Sequence, residues 1–325
     1  MTFFNGLVGI NYFYLSAFLL FLLSLVTVFI AVPIFIRKLK KNGFVVPDMY
    51  KRNKPMTPTI GGLAILSGIL VSLTFGIFFI NNIQLLLIFY FIVFTFALFG
   101  ILDDLVNVGR VLKIFAPFFM ALPIALINTD STLWLGFGEI ELGLICSFII
   151  APLYVMVVSN LVNMHSGYNG LQTGLSSIVI FFLIVLTILR GQYSELVYIM
   201  PLFGGLLAFF WYNKYPSRIF EGNSGALAIG SAMGAYIVLI GVEILGVLLL
   251  IPHIINFLMY GYWKIRKIPN AKFGFERDDN TICVPNPLTL KWVLPYYYDM
   301  SERQSTYFMY GITFIFGLVG VIICL

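Results

Sequence analysis

The sequence predicts an all-α integral membrane protein of about ten transmembrane helices, with catalytic loops on one face and a small loop element before the last helix. Three observations predict it. Of the 325 residues, 60% are hydrophobic and only 10% charged, with a mean hydropathy of +0.99; a soluble domain carries about 25% charged residues. Apolar runs of bilayer-crossing length, roughly 20 residues, recur along the whole chain. The Lys and Arg residues gather in alternate loops, as they do when one face of a membrane protein is cytoplasmic.

In chain order the spans are expected at 10–36, 59–80, 84–101, 112–128, 142–162, 174–190, 195–212, 224–240, 243–263 and 306–325, with tight turns at 81–83 and 241–242. The start MTFFNGLVGINYFY has no basic n-region, so the first run reads as a membrane span and not as a cleavable signal. Arg37, Lys38, Lys40, Lys41, Lys51, Arg52 and Lys54 follow the first span, Arg110 and Lys113 the third, and Lys214 and Arg218 the seventh. Lys264, Arg266, Lys267, Lys272, Arg277, Lys291 and Arg303 follow the ninth, so that of the 19 basic residues only Arg190 falls on the other face. An even number of spans then puts both termini outside and the basic loops in the cytoplasm. The chain reads as one polytopic domain, 1–325, with a loop element at 264–305 too short for a domain of its own. A hairpin around Phe275 to Val284 is expected in it, and the run WVLPYYYDM is placed at the interface.

Cys146, Cys283 and Cys324 have no pairing or metal spacing, and with His165 and His253 as the only histidines a zinc or haem site has little to be built from. No nucleic-acid partner is expected. The polar residues that are hard to explain structurally lie in the loops of the basic face. Asp103 and Asp104 directly follow IVFTFALFGIL; adjacent carboxylates at a membrane edge are costly unless a cation pairs with them, although a solvated helix end also accommodates them. Lys113, ten residues on, can return to the same place and meet a phosphate.

NLVNMHSGYNGLQTG, 160–174, combines asparagines and glycines beyond what a polar turn requires. Asn side chains suit a nucleobase edge or Mg²⁺, and glycines permit close backbone approach; His165 alone carries little. In NKYPSRIFEGNSGALAIG, Glu221 to Gly225 opens a helix whose amides could bind an anion, and Arg218 could grip phosphate. DMYKRNKPMTPTIGG and KIRKIPN fit phosphate or headgroup contacts, and equally plain membrane anchoring.

Taken together, DMYKRNKPMTPTIGG, GILDDLVNVGRVLK, NLVNMHSGYNGLQTG, YPSRIFEGNSG and KIRKIP resemble, over nearly the whole chain, the polyprenyl-phosphate N-acetylhexosamine-1-phosphate transferases. The resemblance is nearer to the dolichyl-phosphate branch than to the bacterial phospho-MurNAc-pentapeptide translocases, which carry aspartates where Ser166 and Asn169 stand and a histidine-rich motif where KIRKIP stands. It implies a ten-helix fold and transfer of GlcNAc-1-phosphate from UDP-GlcNAc to dolichyl or another polyprenyl phosphate, with Mg²⁺, or Mn²⁺ in its place, as cofactor. It further implies Asp103 and Asp104 as the essential acid pair and Lys113 as the pyrophosphate-binding lysine. Asn160, Gly167 and Asn169 would belong to the substrate-binding loop, Asn169 and Gly167 touching uridine. Arg218, Arg266 and Lys267 would bind sugar and phosphate, and Asn163 the metal. Asn223 departs from the pattern, since family members commonly have a metal-binding aspartate there; it brings an oxygen without charge, or leaves the place to Glu221.

A different UDP-HexNAc used in cell-wall or polysaccharide synthesis is the nearest alternative. A secondary transporter is the alternative from another class, but it needs polar groups at mid-membrane, and only Glu243 lies near one of the apolar runs. The membrane is read as a cell membrane in preference to the endoplasmic reticulum, and oligomeric state is left open, a homodimer included.

Overall fold

The computed structural model describes all residues except 1, 80–81, 107, 128–131, 135–137 and 269–272, and describes no side chain before residue 12. Among the described residues twelve α-helices and three short antiparallel hairpins follow one another along the chain. They are α1 (Thr2–Lys41), β1 (Val45–Pro47), β2 (Met56–Pro58), α2 (Gly62–Gly76), α3 (Ile83–Val106), α4 (Arg110–Ala121), β3 (Thr132–Trp134) and β4 (Glu139–Glu141). Then come α5 (Ala151–Met164), α6 (Leu171–Leu189), α7 (Leu196–Asn213), α8 (Gly222–Leu239), α9 (Glu243–Leu249), α10 (Ile251–Ile265), β5 (Phe275–Glu276), β6 (Ile282–Cys283), α11 (Leu290–Tyr297) and α12 (Glu302–Cys324).

Each of the ten expected spans is occupied by helix, but they are not ten equal crossings. Among the described residues seven helices are long and apolar enough to cross a membrane. An eighth crossing forms if α9 and α10 count as one span bent by 67°. The break expected nowhere in 243–263 falls at Leu250, just before Pro252, a residue whose missing amide suits the first turn of a new helix and not the interior of an old one. The segment expected at 59–80 is helical only over the 15 residues of α2, about 22 Å at 1.5 Å per residue and short of a hydrocarbon core of roughly 30 Å. The segment expected at 112–128 changes to a 3₁₀ turn at Leu122–Leu126, beside Pro123. These segments are predominantly apolar from end to end, so the sequence could not distinguish a long crossing from a short or broken one.

The bundle is organised around α8. Its sequence, GNSGALAIGSAMGAYIVL, is buried from Ser224 to Val238. Small residues explain this: in lipid, helices gain by close backbone packing, since lipid tails solvate a Leu as well as protein does. A Cβ on Gly230 would lie 2.6 Å from Ser159 Cα, and one on Gly234 would lie 2.9 Å from Val155 Cα, so α5 and α8 touch along their backbones. On its other side α8 packs against α3, while α1, α2 and α7 form one flank and α6 and α12 another.

The 264–305 element contains the expected hairpin, β5 pairing β6 with Phe275 opposite Cys283 and Glu276 opposite Ile282. It is seated on the bundle by a small second core of Tyr50, Tyr168, Trp263, Ile282 and Trp292, in which the Trp292 indole N–H donates to the Tyr50 hydroxyl at 3.0 Å. In WVLPYYYDM, Trp292 is thus buried, whereas Tyr296, Tyr297 and Tyr298 are exposed. The β1–β2 hairpin, not expected from sequence, presents Asp48 to Lys51 toward the same end of the bundle.

Candidate active site

The last turn of α3, the start of α4 and the N-terminus of α8 meet at the basic end of the bundle. Asp104 accepts the backbone amides of Asn223 at 3.1 Å and Ser224 at 3.2 Å, so the first amides of α8 grip a carboxylate of the protein itself. A helix N-terminus favours an anion, and its free amides need acceptors. The amides expected to await a substrate anion are therefore taken, at Asn223 and Ser224, by an internal one. Asp103 is buried and holds three donors: the Lys113 ammonium at 2.7 Å, the Val108 amide at 2.9 Å and the Asn223 carboxamide at 3.0 Å. The two acids are adjacent yet neutralised by different partners, which removes the repulsion that makes such a pair costly.

Glycines make this contact. A Cβ on Gly100 would lie 2.5 Å from the Asn223 carbonyl, and one on Gly222 (φ 69°) would lie 2.7 Å from Asp104 Oδ2. The Gly61 amide donates to Phe220 O at 2.9 Å and the Gly62 amide to Glu221 O at 2.8 Å, while Phe220 N donates to Pro58 O at 2.8 Å. The Thr-Pro-Thr-Ile-Gly-Gly segment thus acts as a seat for the start of α8. Gly100→Ala is expected to cost about 1–3 kcal/mol by overpacking and to displace Asn223. Gly311→Ala, where an added Cβ meets nothing within 4 Å, leaves the protein at wild-type stability or above. Thermal unfolding of the two variants in one detergent checks the difference.

A cleft of about 490 Å³ opens beside the acid pair, lined by Asp104, Asn163, Gly167, Glu221 and Asn223, with Tyr168, Phe220 and Phe273 among its aromatic walls. Glu221 accepts from the Asn213 carboxamide at 3.0 Å; desolvation pushes its carboxyl up to about 7 against the pull of that bond. Gly167 has φ 105°, and a Cβ there would lie 2.4 Å from the Lys291 ammonium, which donates to Ser166 O. Desolvation of the half-buried Lys291 draws its ammonium down to about 8. His165 packs edge-to-face on His253 at 4.7 Å, and burial, with the charge of Lys291 adding to it, holds its imidazole well below the ordinary range.

Asn169 has a different task from the one expected. Its carboxamide donates to Asp48 at 3.0 Å and accepts the Ser217 amide at 2.7 Å, and its own amide donates to Glu302 at 2.6 Å. Lys51 pairs with Glu302 and lies 3.7 Å from Asp48. This buried cluster ties the β1–β2 loop, the 165–170 loop, the 213–221 loop and the start of α12 together. Asp48, Lys51, Glu302 and Lys291 were not expected as site residues, although Asp48 and Lys51 lie within a motif that the sequence sets apart, and Glu221 was expected only as the alternative to Asn223.

The structure brings Asp103, Asp104, Lys113, Asn163, Gly167 and Asn223 to one place. It does not bring four others to the cleft. Asn160 donates to Met156 O of its own helix at 2.9 Å. Arg218 is exposed, 5.5 Å from the Tyr212 ring, and Arg266 is exposed, 5.5 Å from the Tyr262 ring. Lys267 is exposed as well, in a turn with φ 50°, just before the undescribed residues 269–272. Asn270, the end of KIRKIPN, lies outside the described residues.

A multi-helix membrane bundle that clasps an acid pair, a lysine and an asparagine at one end, beside a cleft of small-ligand size, is the framework of a membrane-embedded enzyme. Residues 86–241, the stretch from α3 to α8 that contains the whole acid–lysine–asparagine cluster, match the description of glycosyl transferase family 4. It is 28% identical over 295 residues, 89% of this chain and 90% of the relative, to a Saccharolobus solfataricus protein provisionally named UDP-N-acetylglucosamine–dolichyl-phosphate N-acetylglucosaminephosphotransferase. A Sulfolobus acidocaldarius protein with the same provisional name is 26% identical over 87% of this chain and 88% of its own. The phospho-N-acetylmuramoyl-pentapeptide-transferase of Staphylococcus aureus is 27% identical over 69% and 76%.

Proposed function

We propose that the chain transfers N-acetylglucosamine 1-phosphate from UDP-GlcNAc to a polyprenyl phosphate of the dolichyl type, releasing UMP and leaving polyprenyl-diphospho-GlcNAc in the membrane, as the first membrane step of N-glycan-type assembly. The observation that carries this reading is the union of Asp103, Asp104, Lys113 and Asn223 beside the cleft, in a chain matched along most of its length by two relatives of that name. A phosphate oxygen of the acceptor attacks the sugar-linked phosphorus, the bond from that phosphorus to the UMP oxygen breaks, and UMP leaves with the electron pair. Two anions must be brought into line, so the protein's work is positioning and charge neutralisation. Lys113, oriented by Asp103, faces the diphosphate, and Asp103 also positions the acceptor phosphate. Gly167 with the aromatic walls of the cleft receives the uridine.

Carboxylate and carboxamide oxygens are the donor types that Mg²⁺ prefers, and Mn²⁺ accepts them too. Asp103, Asp104, Asn163 and Asn223 would hold such an ion, which supplies charge neutralisation when bound. Among the described residues no three His, Cys, Asp or Glu side chains group as a metal site, in keeping with an ion that takes one or two carboxylates and completes its shell with water and substrate phosphate. Asn223→Asp is informative here, because it sets a third carboxylate against Asp103, where the carboxamide now donates at 3.0 Å. The expected result is a variant less stable than wild type under chelation and restored by millimolar Mg²⁺. Equal melting temperatures with and without Mg²⁺ would remove Asn223 from the ligand set.

The distribution of Lys and Arg supports a cleft on the cytoplasmic side with both termini outside, and the compact chain supports a cell membrane; a homodimer is compatible with all of this. The similarity to the bacterial transferase favours, as second reading, another UDP-HexNAc donor for a cell-wall polymer. The test is incubation of the purified protein with a panel of UDP-sugars and with dolichyl or undecaprenyl phosphate. UMP release is expected with UDP-GlcNAc, and flux of a solute into vesicles without UMP would point to a transporter.

A further inference from the structure

A second cavity, of about 460 Å³, lies between the ends of α7 and α12 that are nearest the candidate site. It is separate from the cleft: Asn169, Phe210, Lys214, Arg303, Tyr307 and Tyr310 line it, and none of them lines the other. The volume falls within the range of small-ligand pockets, roughly 300–1,000 Å³. Its two charged groups are both cationic, and among the described residues no carboxylate pairs with Lys214 or Arg303. Lys214 lies 3.4 Å from the Trp211 ring and Arg303 donates to the Tyr307 hydroxyl at 3.0 Å, so each is held at the rim by an aromatic neighbour.

The position in the membrane sets the ligand. Trp211, Tyr307 and Phe308 are exposed, as are Phe314, Ile315 and Leu318 further along α12, so the outer face of these helices is the one lipid solvates. Tyr and Trp concentrate at the headgroup level, and basic side chains there attract anionic lipids. The inner wall is the loop of the candidate site: Asn169 borders the cavity, and the Tyr310 hydroxyl donates to Gly170 O at 2.6 Å.

We propose that this cavity is a binding site for the phosphate headgroup of an anionic phospholipid, gripped by Lys214 and Arg303, and that its occupant steadies the 165–170 loop from behind. The site is distinct from the catalytic cleft; its link to turnover rests on the function proposed above, and its existence does not.

The test is thermal unfolding of the full chain in nanodiscs of phosphatidylcholine containing increasing fractions of phosphatidylglycerol. Wild type is expected to gain about 3 °C or more and to saturate, as a ligand that binds the folded state does. Lys214→Gln/Arg303→Gln is expected to lose most of the gain, whereas Lys38→Gln/Lys40→Gln, which removes two exposed charges at the end of α1, keeps it. Equal loss in both double variants, or a wild-type rise that never saturates, would mean bulk charge attraction and overturn the site. A rise produced by inorganic phosphate in phosphatidylcholine discs would overturn the lipid assignment. If the double variant instead raises the KM for polyprenyl phosphate in neutral discs, the cavity belongs to the acceptor. Absence of UMP release from every variant, with the melting shifts intact, would sink the proposed function and leave this site standing.

Discussion

Asp103→Asn is expected to lower UMP release about 10²- to 10³-fold, the cost commonly seen when one preorganised charge contact is removed from a reacting centre. Asp103 joins α3, α4 and α8 at once, through Val108, Lys113 and Asn223. The amide replacement is nearly isosteric, but it surrenders the charge that fixes the Lys113 ammonium and turns one acceptor oxygen into a donor facing Lys113, Val108 or the Asn223 carboxamide. The Lys113 side chain is 38% exposed and the Asp103 side chain 6%, so the loss falls on the orientation of the lysine and little on global stability. The expected kinetic pattern is therefore a fall in kcat with a smaller change in the KM for UDP-GlcNAc. Full activity at saturating Mg²⁺ would remove Asp103 from the mechanism.

Glu302→Ala is expected to cost about 3–5 kcal/mol, the usual result of stripping one partner from a buried ion pair. Glu302 is 3% exposed, pairs with Lys51 and accepts the Asn169 amide. Without it, Lys51 keeps Asp48, at 3.7 Å, and the Tyr215 ring, at 4.3 Å, and the Asn169 amide loses its acceptor in a place water does not reach. The double variant Lys51→Met/Glu302→Leu removes both charges and is expected to recover part of the loss, since an apolar pair of similar volume often replaces a buried ion pair at little cost. A thermal melt of the two variants beside wild type reads this directly. If Glu302→Ala melts with wild type, the cluster does not hold the loops.

These two residues also mark the line between what the sequence discloses and what it hides. Asp103, Asp104, Lys113 and Asn223 were legible because each sits at the end of an apolar run on the face the basic loops select, within motifs that resemble a known family. Glu302 was not legible: an acid at a helix start is ordinary capping chemistry, and its partners Asn169 and Lys51 lie 133 and 251 residues away. Asn169 shows the converse. Its residue type suits a nucleobase, yet its carboxamide is spent on Asp48 and Ser217, a pairing that only folding reveals. The glycines of Thr-Pro-Thr-Ile-Gly-Gly looked like a phosphate contact and are a docking surface for α8. In the bundle, the positions of the apolar runs were plain, whereas the break at Leu250 and the shortness of α2 were not, because hydropathy measures the solvent of a segment and not its path.

The measurement that tests the account most directly is the stoichiometry of products. Purified protein in nanodiscs is given UDP-GlcNAc, Mg²⁺ and dolichyl phosphate, with UMP measured in the aqueous phase and the extracted lipid analysed by mass spectrometry. The account predicts UMP and a lipid carrying one added phospho-N-acetylhexosamine in equal amounts. UDP in place of UMP, or nucleotide release with no change in the mass of the lipid, would contradict it.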